Sequence, residues 1–344
     1  MRVLKSHNIL IPLVFFTYAF FVNINFFGQT GKAPGLGLSS TGKTTAYVDD
    51  LYSQSQPHRG VAQAAIGALR YRLLGEGRDG VIVAGDGWLL SAEELRPRLP
   101  DPQETALHAE ILDAAAQVQA LGGQVILLLL PTKAGVLGIA GTTGSDAARD
   151  ALIAKLQSHR VPFLNATPAL QAVPQAFFKS DTHWTTAGAE AVAHHFASSF
   201  SSLKGSDVYQ RIKLTPENFT GDLVPFVTTA AVAPWIGIAQ EQASPIEARG
   251  EGNADDLFAA DAPEAYALVG TSYSANPRWS FTEALKLSLK HDVLNYAREG
   301  LGPLEPMQRY IEALKTGDAP HTVIWEFPTR YLTDPELLSE GSTQ

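Results

Sequence analysis

Apolar and polar positions along the chain fall into three regimes. From Ile9 to Gly28 no side chain is charged, six phenylalanines occur (Phe15, Phe16, Phe20, Phe21, Phe26 and Phe27), and Arg2 and Lys5 are the only charged residues before Lys32. Twenty helical residues at about 1.5 Å rise cover about 30 Å, the thickness of a bilayer core. The pattern predicts a membrane-spanning or signal segment over 1–28. Residues 29–45, rich in Gly, Ser and Thr, read as a flexible tether. From residue 46 onward the apolar positions become periodic, and 46–344 reads as one domain.

Within that domain strand and helix patterns alternate. Val81 to Gly85, Asp86-Gly87, and Trp88 to Leu90 read as a tight hairpin, because Asp-Gly supplies the positive-φ positions of a two-residue turn. Leu107, Ile111, Leu112, Ala115, Val118 and Leu121 recur at helical spacing over 105–121, and Gly122-Gly123 ends the run. Gln124 to Leu130 is a continuous apolar run, the signature of a strand covered on both faces. Further helices are expected over 146–159, 186–199, 281–290 and 304–314, and strands over 161–164, 265–269, 292–297 and 322–327. Strands alternating with helices imply crossover connections and a mainly parallel sheet. Residues 201–260, with scattered Pro, Gly and acidic side chains, break this rhythm and read as an insertion. No internal repeat is visible.

Composition narrows the chemistry. The chain has 344 residues, a formal net charge of -9 and no cysteine, so disulfides, Cys-bound metals and thiol nucleophiles are excluded. Setting Arg2 and Lys5 aside leaves 24 basic and 35 acidic side chains, a net charge of -11. Such a balance argues against a nucleic-acid partner. The positive flank before the apolar stretch keeps that end inside and places the domain outside the cytoplasm. Asn23 to Thr30 lacks the small-residue pattern of a cleavage site, which favours an uncleaved single-pass inner-membrane anchor with a periplasmic domain; the alternative is a periplasmic protein after signal cleavage. Gly37-Leu-Ser-Ser-Thr-Gly42-Lys43-Thr44 fits a phosphate-loop pattern. It lacks the preceding strand and following helix that aim backbone N–H groups at phosphate, so it is assigned to the tether and no nucleotide is expected.

Three segments carry candidate chemistry. In Phe178-Lys-Ser-Asp181-Thr-His183-Trp184-Thr, an extended backbone projects Asp181 and His183 to one side, which suits a carboxylate that orients an imidazole. His7, His58, His108, His159, His291 and His321 read as structural, and the adjacent His194 and His195 point apart on a helix, so no metal site is expected. In Ala265-Tyr-Ala-Leu-Val-Gly270-Thr-Ser272-Tyr273-Ser274, an apolar strand ends in Gly-x-Ser at the sheet edge where α/β active sites lie. Ser272 is the candidate nucleophile, its own N–H a candidate oxyanion donor; Ser274 is the alternative hydroxyl, and a plain helix cap is the structural reading. The strand ends Asn295 to Pro303 and Val323 to Tyr331 offer Gly300 or Gly302 as further oxyanion donors and Arg298, Arg330, Tyr331 and Tyr273 as substrate-binding groups, against surface turns and salt bridges.

Together, Gly85-Asp86-Gly87-Trp88-Leu89-Leu90, Leu130-Pro131-Thr-Lys133, Asp181-Thr-His183-Trp184, Gly270-Thr-Ser272-Tyr273-Ser274 and Trp325-Glu326-Phe-Pro-Thr-Arg330-Tyr331 occur in an order that resembles bacterial alginate O-acetyltransferase proteins, over residues 80–332. The resemblance implies an SGNH-hydrolase-like three-layer α/β/α sandwich with a mainly parallel sheet and permuted motif order, the Asp/His block preceding the Ser block. It implies Ser272 as nucleophile, His183 as base and acid, and Asp181 as its orienter, moving acetyl groups onto an alginate-like or cellulose-like exopolysaccharide without a cofactor. A membrane-bound O-acyltransferase is the implied acetyl donor. The block that supplies an oxyanion Asn in SGNH hydrolases is replaced here by Trp325 to Tyr331. Two other readings share the residues: a secreted carbohydrate acetylesterase and a non-catalytic polysaccharide-binding or assembly protein. An acidic acceptor would call for Arg278, Arg298 and Arg330 to gather near Ser272.

Overall fold

A computed structural model describes residues 12–21, 23, 24, 26, 52, 59–139, 143–250 and 265–338. The chain divides into two units, 1–69 and 70–344. In the first, residues 12–21 are helical; among the described residues no helix is long and apolar enough to cross a membrane. The apolar stretch 9–28 is described only in part, and the tether and the Gly37 to Thr44 pattern lie outside the described residues. Helix α1 (Arg59–Leu74) begins in this unit.

The second unit opens with the expected hairpin, β1 (Val81–Gly85) antiparallel to β2 (Trp88–Ser91), its turn made by Asp86 at φ 50° and Gly87 at φ 80°. Its centre is a five-stranded parallel sheet ordered β10-β9-β11-β3-β4, where β3 is Gln124–Leu130, β4 Phe163–Asn165, β9 Tyr266–Val269, β10 Val293–Asn295 and β11 Thr322–Pro328. The last strand therefore lies in the middle, paired with β3 on one side and β9 on the other.

The apolar run of β3 resolves into two alternating sets. Val125, Leu127 and Leu129 join a core with α2 (Asp101–Ala120), α4 (Thr143–Ser158) and α9 (Leu304–Thr316). Ile126, Leu128 and Leu130 join a second core with α6 (Thr186–Ser199) and α8 (Phe281–Leu289), while the short α3 (Lys133–Val136) and α5 (Thr167–Gln171) follow β3 and β4. Helices on both faces make three layers, and removing a fully buried side chain such as Leu128 to alanine costs about 2–5 kcal/mol.

Some boundaries moved. The strand expected over 161–164 runs Phe163–Asn165. The one expected over 292–297 ends at Asn295, whose side chain accepts the Ala297 N–H at 2.9 Å and turns the chain off the sheet. Among its described residues the insertion holds two antiparallel ribbons, β5 (Tyr209–Lys213) with β8 (Ile246–Gly250) and β6 (Glu217–Phe219) with β7 (Glu241–Ala243).

Candidate active site

Three chain segments meet at the C-terminal edge of the sheet. Strand β9 runs through Gly270 into the short helix α7 (Ser272–Ala275), which presents Ser272 at its first residue. The loop before α6 carries Asp181 and His183, and the Thr185 hydroxyl caps α6 by accepting the Gly188 N–H at 3.2 Å. His183 Nε2 lies 2.8 Å from Ser272 Oγ, and His183 Nδ1 lies 2.7 Å from Asp181 Oδ1. The segment is bent rather than extended as expected: Asp181 Oδ1 also accepts the His183 N–H at 2.9 Å, an Asx turn that brings acid and imidazole together without help from a strand.

Aromatic packing fixes the imidazole. The Trp279 ring stacks on it at 4.9 Å and 20°, and the Tyr273 ring lies at 5.0 Å. Tyr273 O–H donates to Thr182 O at 2.6 Å and Trp184 Nε1 donates to Tyr273 O at 3.2 Å, so Tyr273 ties the serine loop to the histidine loop and is spent on that bridge rather than turned to a substrate.

The insertion contributes a second carboxylate. Asp222 N–H donates to Asp181 Oδ2 at 2.9 Å, its Oδ1 accepts the Thr182 N–H at 2.8 Å, and its Oδ2, which also accepts the Thr182 hydroxyl, lies 3.7 Å from His183 Nδ1. Gly221 permits this: a Cβ there would stand 2.1 Å from Ser180 O. Burial works against a charge on Asp181, but the bonds and charge of His183 and the N–H groups outweigh it and hold the carboxyl below its ordinary range. Partial desolvation, with 42% of the Asp222 side chain still exposed, and the charge of Asp181 beside it push Asp222 up. Two neighbouring carboxylates thus have their affinities for protons driven apart. The atoms of Asp181, His183 and Asp222 lie within 4.8 Å of one another, as a cation would need. Each of the four carboxylate oxygens accepts at least one N–H or O–H of the site.

Lys133, just beyond β3, is buried, and its ammonium donates to Leu89 O at 2.6 Å, Lys179 O at 2.9 Å and Asp181 O at 2.9 Å. It sits 5.2 Å from the Trp88 ring centre. Hairpin, strand exit and histidine loop are joined at this one nitrogen. Burial pulls Lys133 down to about 8, against the charges of Glu94, Asp181, Glu241 and Asp222.

The other expected residues take different places. Ser274 is buried and its hydroxyl donates to Glu326 Oε2 at 3.0 Å, so Ser272 is the serine that meets His183. Gly302 packs against Leu337 and Tyr331, and Tyr331 belongs to the core on the α2, α4 and α9 side, so both serve packing. Gly300 is an exposed turn residue at φ 76°. Arg298 is exposed and its N–H donates to Gly270 O at 3.1 Å. Arg330 lies inside, 5.7 Å over the Tyr273 ring and 5.1 Å over Tyr331, with Glu93 at 3.8 Å. Arg278 spans Phe219 and Trp279 and pairs with Glu217 at 3.2 Å. Of the three arginines, Arg298 is exposed, Arg278 is paired with Glu217, and Arg330 is 12% exposed with a buried Nε that has no hydrogen-bond partner.

Motif reading found no role for Lys133, Asp222, Trp279 or Glu326. Glu326 left a signal, an acid inside the apolar run Val323 to Phe327. Asp222 left none, since only the path of the insertion brings it to His183.

This geometry can be set beside known proteins. Residues 81–329 match the family described as the SGNH hydrolase-like domain of acetyltransferase AlgX. The chain belongs to the AlgX family. This AlgX-family chain is 34% identical over 325 residues to the probable alginate O-acetylase AlgJ of Pseudomonas putida, covering 88% of this chain and 83% of that protein. It is 33% identical over 322 residues to the protein of the same name from Pseudomonas aeruginosa, covering 87% and 82%. The O-acetyltransferase domain of Pseudomonas putida AlgJ superposes with a TM-score of 0.62 at 30% identity, over 76% of this chain and 98% of that one. The fold is accordingly SGNH-like, an α/β architecture on a parallel sheet.

Proposed function

We propose that this chain is a polysaccharide O-acetyltransferase that carries the acetyl group on Ser272. The observation that carries the reading is the unbroken line from Asp181 through His183 to Ser272, with contacts of 2.7 and 2.8 Å. The relatives named alginate O-acetylase support the acyl group and an exopolysaccharide of the alginate type as acceptor.

The groups define the steps. His183 Nε2 takes the proton of Ser272 Oγ as that oxygen attacks the acetyl carbonyl, and Asp181 stabilises the imidazolium through Nδ1. The Ser272 N–H, at the start of α7, has no backbone acceptor among the described residues and is free to donate to the tetrahedral oxyanion. Collapse returns the proton to the leaving group and leaves an acetyl ester on Ser272. A sugar hydroxyl then attacks that ester, gives its proton to His183, and Ser272 is regenerated. Trp279, stacked on the imidazole and flanked by Phe219 and Arg278, covers one side of the base against water and favours transfer over hydrolysis.

The uncharged stretch 9–28 behind Arg2 and Lys5 supports a single-pass inner-membrane anchor with the domain in the periplasm. A membrane-bound O-acyltransferase would supply the acetyl group there. The test is mass spectrometry after incubation with an activated acetyl ester. An acetyl adduct on the Ser272 peptide, absent from Ser272→Ala and discharged by deacetylated polymer, is expected. An adduct on Ser274, or unchanged polymer acetylation in cells carrying Ser272→Ala, would overturn the reading.

A further inference from the structure

The proton relay gives no task to Glu326, which is wholly buried in β11 at 0% exposure. By strand alternation it points to the face that carries Ile324 and Leu268, the side on which α7 lies. Its Oε2 accepts the Thr271 N–H at 2.7 Å and the Ser274 hydroxyl at 3.0 Å, and its Oε1 accepts the Thr271 hydroxyl at 3.1 Å. Thr271 and Ser274 stand on either side of the Ser272-Tyr273 pair. From the opposite side Asn295 Nδ2 donates to Ser274 O at 2.7 Å. Loop and carboxylate are fitted closely: a Cβ on Gly270 would stand 2.3 Å from Glu326 Oε2 and 2.8 Å from its Cβ. An apolar side chain here would leave the Thr271 N–H and both hydroxyls without an acceptor, so the carboxylate is matched to the loop that carries Ser272.

We propose that Glu326 is a positioning residue for acyl transfer, its carboxylate fixing Thr271 and Ser274 so that Ser272 Oγ stays in line with His183 Nε2 and the Ser272 N–H stays turned to the oxyanion. This rests on Ser272 being the nucleophile, as proposed above. All three loop donors require acceptors, and only the ionised carboxylate offers enough of them. Protonation turns one oxygen into a donor and leaves a loop donor unmatched. The groups facing Glu326 are the guanidinium of Arg330 from the turn after β11, the phenol of Tyr273 from α7, and the two hydroxyls. Burial pushes its carboxyl up to about 7, opposed by Thr271, Ser274 and Arg330, so the latch engages across neutral pH.

The test uses the full chain as wild type, Glu326→Gln, Glu326→Ala and Ser272→Ala, with an aryl acetate as acyl donor and a fluorophosphonate as serine probe. Above about pH 8, Glu326→Gln lowers kcat and the rate of Ser272 labelling about 10-fold and Glu326→Ala about 100-fold, with KM within about twofold. Glu326→Gln melts no lower than wild type. Below about pH 7 the ratio of wild type to Glu326→Gln falls toward one, because protonated Glu and Gln each present a carbonyl acceptor on one atom and a donor on the other. A folded Glu326→Gln with wild-type kcat at every pH, or a deficit that is constant with pH, overturns the positioning role. Labelling of wild type elsewhere than Ser272 overturns instead the nucleophile assignment beneath it.

Discussion

Replacing Lys133 by methionine keeps the length of the side chain and removes the ammonium. Three carbonyls, Leu89 O, Lys179 O and Asp181 O, then lose a charged donor, while Lys179 O retains the Leu89 N–H at 2.8 Å. Hydrogen bonds to a charged group contribute about 1.5–3 kcal/mol each, so the gross loss is about 5–9 kcal/mol. Against it stands relief from burying the charge: the fall from 10.5 to about 8 corresponds to about 3 kcal/mol. Lys133→Met is therefore expected to destabilise the domain by about 2–6 kcal/mol at pH 7. The pH dependence has a definite sign. Between about 8 and 10.5 the unfolded chain keeps the proton that the native state releases, so wild-type stability rises with pH in that window relative to the variant. Urea unfolding of both proteins at pH 7, 9 and about 10 measures the difference, which should widen by up to about 3 kcal/mol. A variant as stable as wild type at pH 7, or a difference that shrinks as pH rises, would refute the reasoning. Activity should fall with the same substitution even where the variant is fully folded, since Asp181 O is one of the three carbonyls.

Two further outcomes follow from the site. Asp181→Asn should lower kcat by about 10³–10⁴ with KM little changed, because the amide holds the wrong tautomer of His183; steady-state kinetics on an aryl acetate checks this. Its stability deficit should appear above the ordinary carboxyl value of 3.8 and fade as pH falls below it, since the native carboxyl is held lower than that and its contribution is lost as it protonates. Trp279→Ala uncovers the imidazole now stacked at 4.9 Å. Free acetate should rise relative to acetylated polymer, by about 10-fold or less, measured as the ratio of the two products.

Much of the fold was legible because each element carries its own signal. The run Gln124 to Leu130 announced a strand covered on both faces, and the Asp86-Gly87 turn announced a hairpin by its demand for positive φ. Asp181, His183 and Ser272 were legible because each sits where local chemistry marks it: an acid two residues from an imidazole, a serine at the end of an apolar strand. What was not legible depends on contacts between distant segments. Asp222 reaches Asp181 from 41 residues away through the path of the insertion. Arg330 looked like a substrate clamp from its place after a strand, but the chain turns it back over Tyr273. Gly300 and Gly302 carried the mark of special backbone, and positive φ is what they supply.

The order of strands has a consequence for how the molecule comes into being. β11 alone joins the β9-β10 pair to the β3-β4 pair. Ser272 follows the first pair, whereas Lys133, which grips the histidine loop, follows the second. Until Thr322 to Pro328 is in place the two strand pairs are not joined through the sheet, and the packing of α6 on α8 and the Tyr273 bridge to Thr182 hold Ser272 beside His183. The alignment of Ser272 with His183 is thereby made to depend on the last strand of the sheet to be synthesised, and a chain cut short before Thr322 is expected to lose it.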